Sequence, residues 1–191
     1  MKINRKLNIV LPVDIGEGEK IFVHSTPISR DVFENYYSQL GAVFTKCFDA
    51  INQAHLALTA PQLAYPALKK ISLDSGTWDS VQKGLINEII RLSNVIMATE
   101  KGWESVPLDL VIKREMLDED TVAEVLSSLV FFTSIWRTAP KELRISFLEM
   151  AGSLRNWEFI SLDSSEYLNG LPTLTIKENI GKKAKASSIA S

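Results

Sequence analysis

The stretch that decides the fold is SRDVFENYYSQLGAVFTKCFDAINQAHLAL, residues 29–58. Its large apolar residues fall at Val32, Phe33, Tyr36, Tyr37, Leu40, Val43, Phe44, Phe48, Ile51 and Leu58. The spacing alternates threes and fours, which is one face of an α-helix. Glu34, Gln39, Lys46, Asp49, Asn52 and Gln53 fill the opposite face. Ser29 suits an N-cap, and Asp31 then sits at the positive end of the helix dipole. A helix with that many aromatics on one stripe has to be packed against much of the chain. The reading is one long helix reaching to about residue 58, the spine of a helical domain. Gly41 inside it costs about 1 kcal/mol relative to alanine, unless another backbone comes close there.

Upstream, NRKLNIVLPV (residues 4–13) alternates Leu7, Ile9, Leu11 and Val13 with polar or small neighbours, the period of a half-buried strand. Pro12 cannot donate to a ladder, which places it near a strand end or on an edge. An acidic, glycine-bearing turn follows, and residues 20–24 then put Ile21 and Val23 on one face and Phe22 and His24 on the other. Together these form a β-hairpin over about residues 4–25. A lone two-stranded hairpin is marginal in water, so it must lie on the helices or join a larger sheet.

Downstream, Pro61 starts a second helix that Pro66 is expected to kink or end. Thr77 caps a third, with Trp78, Val81, Leu85, Ile86, Ile89, Ile90 and Ile96 inward and Gly84 within it. Residues 99–102 form a turn, residues 102–107 read as an extended segment, and residues 108–116 as a short helix. Asp118, Glu119 and Asp120 open a fourth long helix carrying Val122, Val125, Leu126, Leu129, Val130, Phe132 and Trp136. Pro140 starts another, with Leu143, Phe147, Leu148, Met150 and Leu154. Residues 156–162 fit either the end of that helix or a strand. The fold class is therefore mainly α with a small N-terminal β-hairpin, α+β. A single helical domain spans residues 1–170, and residues 171–191 form a disordered tail. Residues 177–191 hold four lysines and one glutamate, a local charge of +3.

The totals narrow the function classes. At 191 residues the chain suits one domain, which at this size buries roughly 70% of its unfolded surface. One cysteine, Cys47, excludes an internal disulfide and a multi-cysteine zinc site. Two histidines, His24 and His55, leave little for metal or acid–base work. Net charge is −2 with pI near 5.8, so no basic nucleic-acid-binding surface is advertised. The most apolar segment, residues 126–136, is shorter than a membrane span. No signal peptide is read at the N-terminus, and the reading is a soluble cytosolic protein with a reduced thiol.

The short motifs carry no chemistry that their bland reading does not explain better. His24, Ser25 and Thr26 are a strand end and cap residues, with no nucleophile elbow. His55 is a core-edge histidine and Cys47 a small buried hydrophobe. Gly16-Glu17-Gly18 lacks the third glycine and the following apolar helix of a phosphate loop, and two carboxylates there would repel an anion. Asp118-Glu119-Asp120 lacks calcium-loop spacing and is a helix start. Gly181-Lys182-Lys183 is a fragment of a phosphate loop lying in the tail, where no aromatic interleaves the lysines for base stacking. No catalytic, cofactor-binding or metal-ligating residue is assigned, and no partner-binding residue is fixed. Tyr37, Trp103, Trp136, Trp157 and Tyr167 are candidates for a helix-in-groove contact only because aromatics dominate such contacts, core packing being the default.

Five segments carry a resemblance: MKINRKLNIVLPV (1–13), IFVHSTPISRDVFENYY (21–37), SNVIMATEKGWESVPLD (93–109), MLDEDTVAEVLSSLVFFT (116–133) and LDSSEYLNGLPT (162–173). Over residues 1 to about 172 the chain resembles the tail assembly chaperones of long-tailed, siphovirus-type (lambda-like) bacteriophages and prophages. HSTPISR followed by an aromatic helix is the most specific part. The resemblance implies a non-enzymatic protein of the host cytoplasm, without cofactor and absent from the mature virion. It implies binding to the tape measure protein and recruitment of the tail tube protein, with self-association open and neither nucleic acid nor membrane as partner. It also implies a longer form made by a programmed ribosomal frameshift; Gly181-Lys182-Lys183 is compatible with the codons GGA-AAA-AAG, which contain a slippery heptamer. The alternative is a structural minor tail protein, a tube or terminator component. A third reading, a small enzyme built on Cys47 with His24 or His55, has the weakest support.

Overall fold

The computed structural model describes residues 7–16, 19–52 and 59–172. His55, Leu58, residues 17 and 18 of the acidic turn, and residues 173–191 of the expected tail lie outside them.

The period-two alternation forms the expected hairpin. Strand β1 (Asn8–Asp14) pairs antiparallel with β2 (Lys20–Ser25), Leu11 opposite Val23. It does not stand alone. It is the middle of a five-stranded antiparallel sheet, order β4-β3-β2-β1-β5, completed by β3 (Ser93–Thr99), β4 (Gly102–Pro107) and β5 (Glu158–Ile160). Strand β5 pairs only with Asn8–Val10, so β1 is a free edge where Pro12 occurs and no ladder bond is lost there. Ile9, Leu11, Val13, Ile21, Val23 and Val95 point into the main core. Val10, Phe22 and Ile96 face the other way, under the aromatic ring of Tyr167.

Strand β3 corrects the expectation of a third helix running to Ile96. The helical rod there consists of α4 (Trp78–Val81), one π turn (Gln82–Ile86) and α5 (Asn87–Arg91). Beyond Arg91 the chain turns into the β3–β4 hairpin, whose tight turn lies at residues 99–102. The apolar residues of 85–96 fit a helical period, but Val95 and Ile96 belong to opposite faces of a strand.

The opening helix also departs from one long rod. Helix α1 (Arg30–Asn35) is capped by the Ser29 hydroxyl and stops at Tyr36; α2 (Tyr37–Asn52) follows. Tyr36 leaves helical geometry (φ −125°) and donates its hydroxyl to the Ser80 carbonyl at 3.0 Å. Its ring lies over Gly84 in the π turn, where a Cβ would come within 1.8 Å of the hydroxyl. The close approach foreseen at Gly41 thus belongs to Gly84; at Gly41 a Cβ would meet open space. The break shifts which residues face inward. Leu40, Val43, Cys47 and Ala50 are buried, while Phe44 and Phe48 are half-buried and Tyr37 is exposed.

Helix α3 (Ala60–Asp74) continues through Pro66, so the proline does not end it. Proline removes the N–H that would bond the Gln62 carbonyl. That carbonyl instead accepts from the Ser127 hydroxyl at 3.2 Å, across the α3–α7 contact. Short α6 (Leu108–Lys113) leads to α7 (Glu119–Thr138). Asp118 caps α7 as expected, accepting from the Thr121 N–H at 2.8 Å and its hydroxyl at 2.7 Å, and both bonds draw the Asp118 pKa below its ordinary value. Every residue from 125 to 135 is buried, so α7 is enclosed all round by α2, α3 and the sheet. The spine of the core is therefore α7, with α2 and α3 packed on it.

Pro140 opens α8 (Lys141–Arg155) as expected, and the helix ends on Asn156 in the left-handed conformation (φ 56°), with the Trp157 N–H on the Gly152 carbonyl. Helix α9 (Ser164–Gly170) starts on a capping box of Asp163 and Glu166 and covers the second face of the sheet. Leu171 packs there too, and the Pro172 carbonyl accepts from Trp103 Nε1 at 2.9 Å.

Candidate partner-binding surface

Of the residues weighed for chemistry, His24, Ser25 and Cys47 are buried and bonded within the fold. His24 is buried on β2, its Nε2 donating to the Leu162 carbonyl at 3.0 Å, the same oxygen that accepts from Asn8 Nδ2 at 2.7 Å. These two bonds tie the chain after β5 to the sheet. The Ser25 and Ser93 hydroxyls bond each other at 2.8 Å, pinning β2 to β3. Cys47 is fully buried, its Sγ on the Ala60 carbonyl at 3.6 Å. Burial pushes its pKa up to about 12, so at neutral pH it is a thiol, not the thiolate a nucleophile needs. Among the described residues no group of three His, Cys, Asp or Glu side chains is placed to hold a metal ion. Among them also, no helix is long and apolar enough to cross a membrane.

Two concave sites have cations that are already paired. A depression of about 270 Å³ lies between β1 and α7, but its cation, Arg155, is bonded to Glu124 at 3.0 Å. A groove of about 590 Å³ runs between α5 and α6 over Ile90, Pro107 and Ile112. Its arginine and lysine are paired within their own helices, Arg91 with Glu88 at 2.7 Å and Lys113 with Asp109 at 3.2 Å.

The aromatic candidates divide. Trp157 is buried edge-on against Phe131. Tyr167 is buried against Phe22, and that burial, with the nearby Glu158 charge, pushes its pKa up to about 12. Trp103 is partly covered by Phe22. Tyr37 is 65% exposed at the start of α2. Trp136 is half-buried on Phe132, with the Arg144 guanidinium 4.9 Å above its ring.

Arg144 belongs to the surface that departs most from the rest. Helix α8 buries Leu148 and Gly152 against the body of the protein. Leu143, Phe147 and Met150 fall within about 60° of one another on the helix wheel at 100° per residue, on another face. Leu143 is 49% and Met150 42% exposed, although the sequence pattern places both inward. Between them Phe147 is half-buried, its ring 5.5 Å from Phe48 and 6.3 Å from Phe44 on α2. An apolar ridge thus runs along α8 and continues onto α2.

One side of this ridge is basic. Arg137 ends α7 and donates Nη2 to the Ile28 carbonyl, within the HSTPISR block. Arg144 Nη2 reaches the Ala139 carbonyl only at 3.4 Å. The Nε of each arginine, and Thr138 Oγ1, are buried without a hydrogen-bond partner among the described residues. Among the described residues no carboxylate lies within ion-pair distance of either arginine. Burial lowers the Arg137 pKa first, then repulsion from Arg144 and Arg30; burial lowers that of Arg144, partly offset by Glu142. Both remain cations at neutral pH, held in positive, half-desolvated surroundings. Pairing is a tertiary property, so the sequence reading had no signal for these two arginines. Trp136, which it did single out, lies against one of them.

No family model, no curated protein and no solved structure matches this chain.

Proposed function

We propose that this chain is a non-enzymatic assembly chaperone of the long-tailed phage type, which binds a tape measure protein and promotes assembly of the tail tube around it. Two things support the reading. The first is the resemblance carried by HSTPISR and the other four segments. The second, and the observation that carries it here, is the apolar ridge on α8, with Leu143 and Met150 exposed either side of half-buried Phe147, continuous with aromatic residues of α2. Exposed apolar rows of this kind are what helix-in-groove recognition uses. The site of action in this reading is the host cytoplasm, and the protein leaves before the tail is complete.

Co-expression with the tape measure protein, followed by purification of the complex and by protein analysis of finished virions, tests the proposal. A soluble complex and absence from the virion are expected. Stoichiometric presence in finished particles would overturn it and favour a structural tube or terminator subunit. The helical majority of the chain weighs against that second class, whose members are expected to be β-rich rings.

A further inference from the structure

The inference rests on the assembly-chaperone reading and names the face and the chemistry of its partner. We propose that α8 and the Arg137–Arg144 corner receive an amphipathic helix with carboxylates along one edge of its apolar face. The apolar side of that helix lies on Leu143, Phe147 and Met150, and its acidic edge meets Arg144 and Arg137.

Geometry carries the assignment. Arg144 and Phe147 are three residues apart on α8 and hence neighbours on its surface, so the cation flanks the ridge directly. The acids of α8, Glu142 and Glu149, project from the other flank of the helix by the 100° rule. The ridge therefore has one positive edge. Four exposed cations have a carboxylate partner one turn away in their own helix: Arg30–Glu34, Lys70–Asp74, Lys83–Asp79 and Lys113–Asp109. Of the half-buried arginines, Arg155 is paired with Glu124, whereas Arg137 and Arg144 have no carboxylate partner among the described residues, and at such half-buried cations an incoming carboxylate is stabilised by the lower local dielectric. The chain's own residues 177–191, with four lysines and one glutamate, have the wrong charge to fill this place.

The test co-expresses the full-length chain with the tape measure protein and measures how much is retained on the purified chain. The variants are Arg144→Glu, the double variant Leu143→Lys with Met150→Lys, and Leu73→Lys on α3 as an exposed control. Melting curves accompany each variant. The first two are expected to retain the tape measure protein about tenfold less or worse, with unchanged melting, and the control to match wild type. A Lys substitution of a Glu on the partner helix should restore binding to Arg144→Glu. Equal retention by all variants overturns this surface while leaving the chaperone reading in place. Wild-type chain retaining none overturns the chaperone reading and this inference with it. A wild-type dimer that Leu143→Lys with Met150→Lys turns into a monomer, with retention unchanged, assigns the ridge to self-association instead.

Discussion

Helices α7 and α8 follow one another across Pro140 and draw on similar side chains, yet their surroundings differ completely. In α7 the apolar residues are so dense that no polar face remains, and all of 125–135 is buried. Its polar members are absorbed internally: Ser127 bonds the Gln62 carbonyl and Ser134 the Phe131 carbonyl. Helix α8 buries one line through Leu148 and leaves a second apolar line outside. Hydrophobic periodicity reports that a face is apolar, not what covers it. One rod is covered by this chain, and we assign the second face of the other to a partner.

The largest effect expected from breaking the comparison is on α7. Phe131 is fully buried against Trp157, and Phe131→Ala should cost about 3–5 kcal/mol in denaturant unfolding. A cost below about 1 kcal/mol would mean that α7 is not the core spine. Next is Ser127→Ala. It removes the donor to the Gln62 carbonyl that Pro66 already leaves without its helical one, and should cost about 0.5–1.5 kcal/mol. In a Pro66→Ala background, where the backbone N–H returns, the cost should shrink markedly.

A smaller effect is set by pH. Cys47 packs in the α2–α3 contact and Tyr167 beneath the sheet, and burial lifts each to about 12 in the folded state, from 9.0 and 10.0. A folded pKa raised above the unfolded one stabilises fully below the unfolded value and is lost as pH climbs through the folded one. Stability should therefore decline from about pH 9 towards pH 12, and Cys47→Ala should flatten the first part of that decline. A flat profile in the wild type would contradict the burial of both groups. The smallest stability effect belongs to the α8 ridge: Leu143→Ala should stay within about 0.5 kcal/mol of wild type. A cost of several kcal/mol would show the ridge to be covered by this chain.

Much of the architecture was legible because local chemistry spells it out. The alternation around Leu11 and Val23 gave the hairpin, Asp118 the start of α7, and Pro140 that of α8. The failures have tertiary causes. Tyr36 breaks the opening helix because Gly84 and the Ser80 carbonyl lie 44 residues or more away to receive it. Pro66 is tolerated inside α3 because Ser127 lies opposite. Strand β3 hid in a helical period because Ile89, Ile90 and Ile96 happen to fit one. The candidate surface was the least legible part. Leu143 and Met150 carry the pattern of core residues, and an arginine without a carboxylate looks the same in sequence as one with it.

The most direct measurement is amide hydrogen exchange of the chain alone and bound to the tape measure protein, with the tail otherwise absent. The account expects slowed exchange in α8, centred on residues 143–150, with α3 unchanged. A stable complex that leaves α8 exchanging as it does in the free chain, or whose protection falls on the α5–α6 groove instead, would contradict it.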